Sequence, residues 1–261
     1  MLFRSIDALR SAFRLLLKNW TSTLILLIAY VGLISVVYLF VSTKEATVSQ
    51  LALTLMLAAV AIGIFFLLQS AALCYTTVEN ANDFLRRSLS TCWKIVVVTL
   101  PVIGFTIAVA YVLTKIQNHA APPPPVAALP LAVVSSSTKS LTLLLTIRYL
   151  LFGVFLPLGL IHLWVAVIQD GFRASLSQLR DLSRRIFAPE SLLIYSFGFI
   201  VFALLPYLVL TKSVSTQKPW LELAVFSLRL ALTAILILLG WLLTVGSLTI
   251  RQTGDSESAN L

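Results

Sequence analysis

Six long apolar segments, separated by polar linkers, dominate the pattern of this 261-residue chain. Each reaches the length that an α-helix needs to cross a bilayer, about 20 residues. None alternates apolar and polar residues with the period of two that a membrane strand requires. The pattern therefore predicts an all-α, polytopic bundle of six transmembrane helices. We place them at residues 20–41, 50–75, 95–115, 141–168, 191–211 and 220–249.

The composition supports a single membrane domain over residues 1–250. The chain is 59% hydrophobic and 11% charged, with a mean hydropathy of +0.99, whereas an ordinary soluble domain is about a quarter charged. A bilayer can cover that much apolar surface and a soluble fold of this size cannot. The remaining residues, 251–261, are polar, and we expect a cytoplasmic tail without fixed structure.

Three basic stretches precede the first, third and fifth apolar segments, at residues 2–18, 84–94 and 172–187. In the first, apolar residues recur at steps of three and four, which is typical of a helix lying in the membrane interface. The pattern suits three tandem repeats of an amphipathic helix and two spans, although any six-span protein with basic inner loops would look similar. The interfacial arginines that we expect to meet anionic lipid headgroups are Arg10, Arg14, Arg86, Arg87, Arg180 and Arg184.

The distribution of positive charge accounts for the net charge of +9. Of the 19 Lys and Arg residues, twelve fall in segments on the side of the basic stretches, five on the other side and two inside apolar segments. Because cytoplasmic loops carry the excess of Lys and Arg, both termini are predicted to be cytoplasmic. Membrane topology thus explains the charge, and nucleic acid is not an expected partner.

The two arginines inside apolar segments are the first candidates for a functional site, since buried charge is costly in lipid. Arg148 lies roughly 10 Å and Arg229 roughly 13 Å below the outer ends of their segments, at about 1.5 Å per residue. Glu222 precedes Arg229 by seven residues on the same helical face, so an ion pair with either arginine is an option. The three residues are predicted to contact a lipid phosphate or another anion; snorkelling or a structural ion pair is the alternative.

Other polar and helix-breaking residues favour structural roles. His162, at the end of the fourth segment, is interpreted as a hydrogen-bonded contact between helices rather than a ligand or proton relay. The prolines inside segments are predicted to kink them. Cys74 and Cys92 are expected to be free thiols. Aromatic residues near the segment ends predict an interfacial belt, which comprises Trp20, Trp93, Trp164, Trp220 and Tyr75, whereas Trp241 is assigned to packing.

Catalytic signatures are missing from the sequence: it has no Walker loop, dinucleotide-binding turn, paired-His metal motif or nucleophile elbow. We therefore expect no enzymatic activity, cofactor or metal. The first hypothesis is a non-enzymatic integral membrane scaffold or accessory subunit that contacts lipids and other membrane proteins. The alternative is a small permease or lipid-handling transporter with a cavity near Arg148 and Arg229. A third hypothesis is a membrane-embedded enzyme, although the spans offer no acid–base pair for it.

The chain resembles one group of families through the short arginine-bearing segments that precede pairs of spans. Residues 84–89 stand before Trp93 and Lys94, and residues 9–10 stand before residues 18–20. The arrangement resembles six-span bacterial membrane proteins of unknown role and is similar to the membrane domain attached to some glycerophosphoryl diester phosphodiesterases. The resemblance implies a bundle in a bacterial inner membrane. The soluble phosphodiesterase domain and its metal-binding carboxylates have no counterpart, so no activity or site residue is carried over.

Overall fold

The computed structural model describes residues 2–44, 47–78, 80–120, 142–172, 175, 179–212 and 218–259, and these form helices and no strand. Six helices are long and apolar enough to cross a membrane, which confirms the predicted all-α polytopic bundle. In chain order the helices are α1 (Leu2–Lys18), α2 (Trp20–Ser42), α3 (Val48–Cys74), α4 (Ala81–Ala120), α5 (Thr142–Gln169), α6 (Leu179–Ile186), α7 (Pro189–Thr211) and α8 (Pro219–Ala259). The proline run at 122–125 lies outside the described residues.

The three basic stretches are not built alike. α1 is separated from α2 at Asn19, and α6 is separated from α7 by Phe187 and Ala188. The second stretch is instead the first part of α4, which runs without a break from Ala81. Lengthening a helix costs far less than starting one, and nothing between Phe84 and Ile95 stops it. Because the second unit has no separate amphipathic helix, the threefold repeat of one helix and two spans stays a prediction.

The polar end of the chain is helical where we expected no fixed structure, because α8 continues to Ala259. Arg251 donates hydrogen bonds to Ser191 and Glu190 at the start of α7, at 3.0 and 3.1 Å. These contacts anchor the helix beyond the apolar segment, and further turns then add at little cost.

Prolines interrupt two spanning helices through wide turns. α5 contains a π turn at Leu151–Phe155 and α7 contains one at Ile200–Leu204, each just ahead of a proline, Pro157 or Pro206. Proline lacks an N–H and its ring clashes with the carbonyl four residues earlier, and a wider turn relieves both problems. The kinks predicted at these two prolines are thus realised as π turns, whereas α4 continues as an α-helix through Pro101.

Burial is concentrated at one end of the bundle, which we call the basic end: it comprises α1, the start of α4, α6 and the end of α8. Most side chains of residues 66–75, 158–167 and 242–249 are buried there. The opposite halves of the same helices, such as residues 219–232 of α8, are mostly exposed. The helices therefore pack against one another at the basic end and present apolar side chains outward at the other.

Hydrogen bonds between distant helices tie the basic end together. The buried Tyr75 hydroxyl donates to the Leu242 carbonyl at 2.9 Å. The Trp164 indole donates to Thr99 Oγ1 at 2.9 Å. Trp164 and Tyr75 are thus packing residues, and their assignment to the aromatic belt was wrong; Trp20, Trp93 and Trp220 are exposed as a belt requires.

Candidate functional site

An apolar cavity of about 340 Å³ lies between α2, α3, α5, α7 and α8. Its wall combines aliphatic and aromatic side chains from all five helices, and Gln69 is the amide among them. The residues used below are Tyr30, Leu33, Phe65, Gln69, Pro157, Trp164, Phe202 and Trp241.

Gln69 supplies an unpaired donor on this wall. The Trp241 indole N–H donates to Gln69 Oε1 at 2.8 Å. Because an indole only donates, this contact fixes which atom of the amide faces Trp241. The NH₂ group of Gln69 then has no hydrogen-bond partner among the described residues, although the side chain is only 8% exposed. Because the NH₂ group borders the cavity, this donor suits a polar atom of a ligand.

The two interrupted helices shape the cavity. Pro157, just after the π turn of α5, forms part of one side, and Phe202 lies within the π turn of α7 on another. Phe202 packs edge to face on Trp241 with ring centroids 5.8 Å apart. At Gly240 an added Cβ would lie 2.8 Å from the backbone nitrogen of Phe202, so α7 and α8 touch directly. The backbones of α7 and α8 are therefore in close contact at this wall.

The cavity opens toward the membrane. Phe65, on its edge, is 41% exposed, and Tyr30 and Leu33 are half-buried. Gln69 lies five residues before the end of α3, roughly 8 Å at about 1.5 Å per residue. The polar wall atom is therefore near the basic end, and the apolar opening is farther into the membrane.

The arginines predicted as an anion site contact different helices. Arg148 is exposed, and its Nη1 donates to Gln117 Oε1 of α4 at 3.5 Å. It borders a wide groove of about 790 Å³ between α4 and α5, which Arg229 does not line. Arg229 donates to the carbonyl of Lys212, just after α7, and Glu222 is exposed in the first turn of α8. An anion or lipid role for these three residues stays a prediction.

All six arginines assigned to the interface are exposed at the basic end. α1 packs on the bundle through small residues, Ser5, Ala8 and Ala12, while Ile6 and Phe13 on its other flank are exposed. Its predicted position in the membrane interface is compatible with that exposed apolar flank. The two cysteines are free thiols, as expected.

No family model matches this chain, and comparisons with curated proteins and with solved structures found no match either.

Proposed function

We propose that this multi-pass membrane protein is a non-enzymatic scaffold or accessory subunit that binds the hydrocarbon chain of a membrane lipid in its cavity. The observation that carries the proposal is the apolar cavity of about 340 Å³ with an unpaired amide near the basic end. Pockets for small ligands measure about 300–1,000 Å³, and a dry cavity of about 150 Å³ already binds benzene. The volume therefore suits part of one acyl or isoprenoid chain.

Gln69 gives the bound lipid an orientation. Its NH₂ group would donate to an ester carbonyl or hydroxyl at the polar end of the chain, which lies at the level of the membrane interface. The hydrocarbon then extends past Leu33 and Phe65 into the membrane. Burial of the hydrocarbon chain favours lipid binding by about 25 cal/mol per Å² of apolar surface. The hydrogen bond to Gln69 would hold the lipid at one depth in the membrane.

The exposed half of the bundle supports a role as a subunit of a larger membrane assembly. Large apolar side chains away from the basic end, such as Tyr38, Met56, Phe105 and Leu228, are well exposed. Without a bilayer these surfaces would aggregate, and within it they can contact lipid or the spans of other membrane proteins.

Filling the cavity tests lipid binding. We expect Leu33→Trp to abolish a lipid adduct that survives mild-detergent purification, because the indole occupies the volume of the chain. Leu39→Trp, on the exposed part of the same helix α2, should keep the adduct. Native mass spectrometry of the full chain counts lipid per protein in each variant. Retention of the adduct by Leu33→Trp, or no adduct on the unsubstituted protein, would contradict the proposal.

We further propose a location in a bacterial cell membrane with both termini cytoplasmic. The support is the charge distribution: basic side chains are exposed at the basic end, and the positive-inside rule places that end in the cytoplasm.

Cysteine labelling on intact cells tests this orientation. In a chain with Cys74 and Cys92 replaced by alanine, a membrane-impermeant maleimide should label Ser42→Cys and leave Ser183→Cys unlabelled until the cells are opened. Both positions are exposed, at opposite ends of the bundle. Labelling of Ser183→Cys alone on intact cells would invert the topology.

A further inference from the structure

A second cavity, of about 160 Å³, lies at the basic end between α5, α6, α7 and α8. It shares no lining residue with the apolar cavity. Its polar lining consists of His162, Arg184, Arg185, Ser191, Arg251 and Gln252. At about 30 Å³ for a water molecule, the volume holds roughly five water-sized atoms, which is the number of heavy atoms in a phosphate ion.

Two buried side chains on this wall have unsatisfied nitrogens. His162 Nδ1 and Gln252 Oε1 are 3.4 Å apart, which confirms the predicted contact between helices. Each side chain is 4% exposed. His162 Nε2 and Gln252 Nε2 are buried, and neither has a hydrogen-bond partner in the described part of the chain. Buried polar atoms are nearly always paired, so these two indicate a ligand.

The hydrogen bond between the two residues defines what that ligand must offer. Because Gln252 presents its oxygen, the Nδ1–H of His162 donates to it, and Nε2 of the neutral ring carries a lone pair. The NH₂ group of Gln252 offers N–H donors. The ligand therefore needs an acceptor oxygen for Gln252 and a hydroxyl for His162.

The positive charge of the cavity lining favours an anionic ligand. Arg184, Arg185 and Arg251 line the cavity, and Arg251 forms an ion pair with Glu190. Glu190 and Ser191 orient Arg251 through hydrogen bonds of 3.1 and 3.0 Å. Three guanidiniums around one small cavity favour an anionic ligand, and guanidinium is well matched to phosphate oxygens.

We infer that this cavity binds a phosphate monoester group or inorganic phosphate. Such a group titrates near pH 6, so near neutral pH part of it carries one proton and offers a P–OH donor beside its anionic oxygens. The oxygens pair with the arginines and with Gln252, and the hydroxyl donates to His162 Nε2. A phosphodiester lacks that hydroxyl. The inference is independent of the lipid-chain cavity and stands or falls separately from it.

The test uses Arg185→Gln in the full chain, with Arg180→Gln as the matched control. Arg180 is exposed on the same short helix and does not line the cavity. Thermal stability in detergent is titrated with inorganic phosphate at constant ionic strength, and native mass spectrometry compares phosphatidic acid with phosphatidylglycerol. Gln252→Glu is a second variant, because its carboxylate pairs with His162 and repels phosphate.

We expect Arg185→Gln and Gln252→Glu to weaken binding by about tenfold or more, about 1.4 kcal/mol, while Arg180→Gln keeps the binding of inorganic phosphate and the preference for phosphatidic acid over phosphatidylglycerol. Stabilisation by inorganic phosphate would identify a soluble ligand, and selective phosphatidic acid adducts without that stabilisation would identify a lipid headgroup. An equal loss of phosphate binding or of that preference in Arg180→Gln, equal retention of phosphatidylglycerol, or no binding of either probe would overturn the inference.

Discussion

Replacing Gly246 with alanine should lower the free energy of unfolding by about 1–3 kcal/mol, the usual cost of overpacking a core. An added Cβ would overlap the Tyr75 hydroxyl oxygen and lie 2.7 Å from its Cζ. Tyr75 is fully buried and hydrogen-bonded to Leu242, so its ring has nowhere to move. The close approach of α3's end to α8 therefore requires glycine. Thermal unfolding in detergent measures the loss.

Gly254→Ala is the control on the same helix, since nothing lies within 4 Å of the added Cβ. It should be neutral or stabilising, because alanine favours a helix over glycine by up to about 1 kcal/mol. Tyr75→Phe removes the nearest atom and should partly rescue Gly246→Ala, which a double-mutant cycle would detect. Equal stability of the two alanine variants would refute the packing that we describe.

Thr99→Val should destabilise the protein by about 1–3 kcal/mol, the cost of leaving a buried donor unpaired. Thr99 and Trp164 are both almost fully buried, and the indole N–H of α5 donates to the Thr99 hydroxyl of α4. Valine keeps the shape of threonine but cannot accept that hydrogen bond. The measurement is the midpoint of thermal unfolding in detergent.

Thr106→Val separates this effect from the general loss of a hydroxyl. Thr106 lies in the same helix, and its hydroxyl donates to the Val102 carbonyl one turn earlier, just as the Thr99 hydroxyl donates to the Ile95 carbonyl. No indole reaches it, so its replacement should change stability little. Trp164→Phe added to Thr99→Val should recover part of the lost stability, because it removes the unpaired indole N–H. A further decrease of the same size would contradict this explanation.

The spanning helices were predictable because hydropathy over about 20 residues decides insertion. The ends of α2 and α7 fall within two residues of the predicted ones. The excess length of α4 and α8 was missed, since a helix needs no apolar residues to continue beyond the membrane once it has begun.

The cavities were less predictable, because each depends on residues far apart in sequence. Gln69 and Trp241 are 172 positions apart, and His162 and Gln252 are 90 apart. A polar residue inside a span signals that a partner exists, but hydropathy does not say which residue it is. For the same reason, Trp164 and Tyr75 looked like interfacial aromatics although they face neighbouring helices.

The uninterrupted course of α8 joins the two cavities mechanically. Between Leu238, on the apolar cavity, and Gln252, on the basic one, α8 contains neither a proline nor a π turn. This part of the helix spans roughly 21 Å at about 1.5 Å per residue, without a break that would let its two ends move separately. A ligand that displaces α8 at one cavity displaces a wall of the other, and linkage makes the influence on affinity equal in both directions.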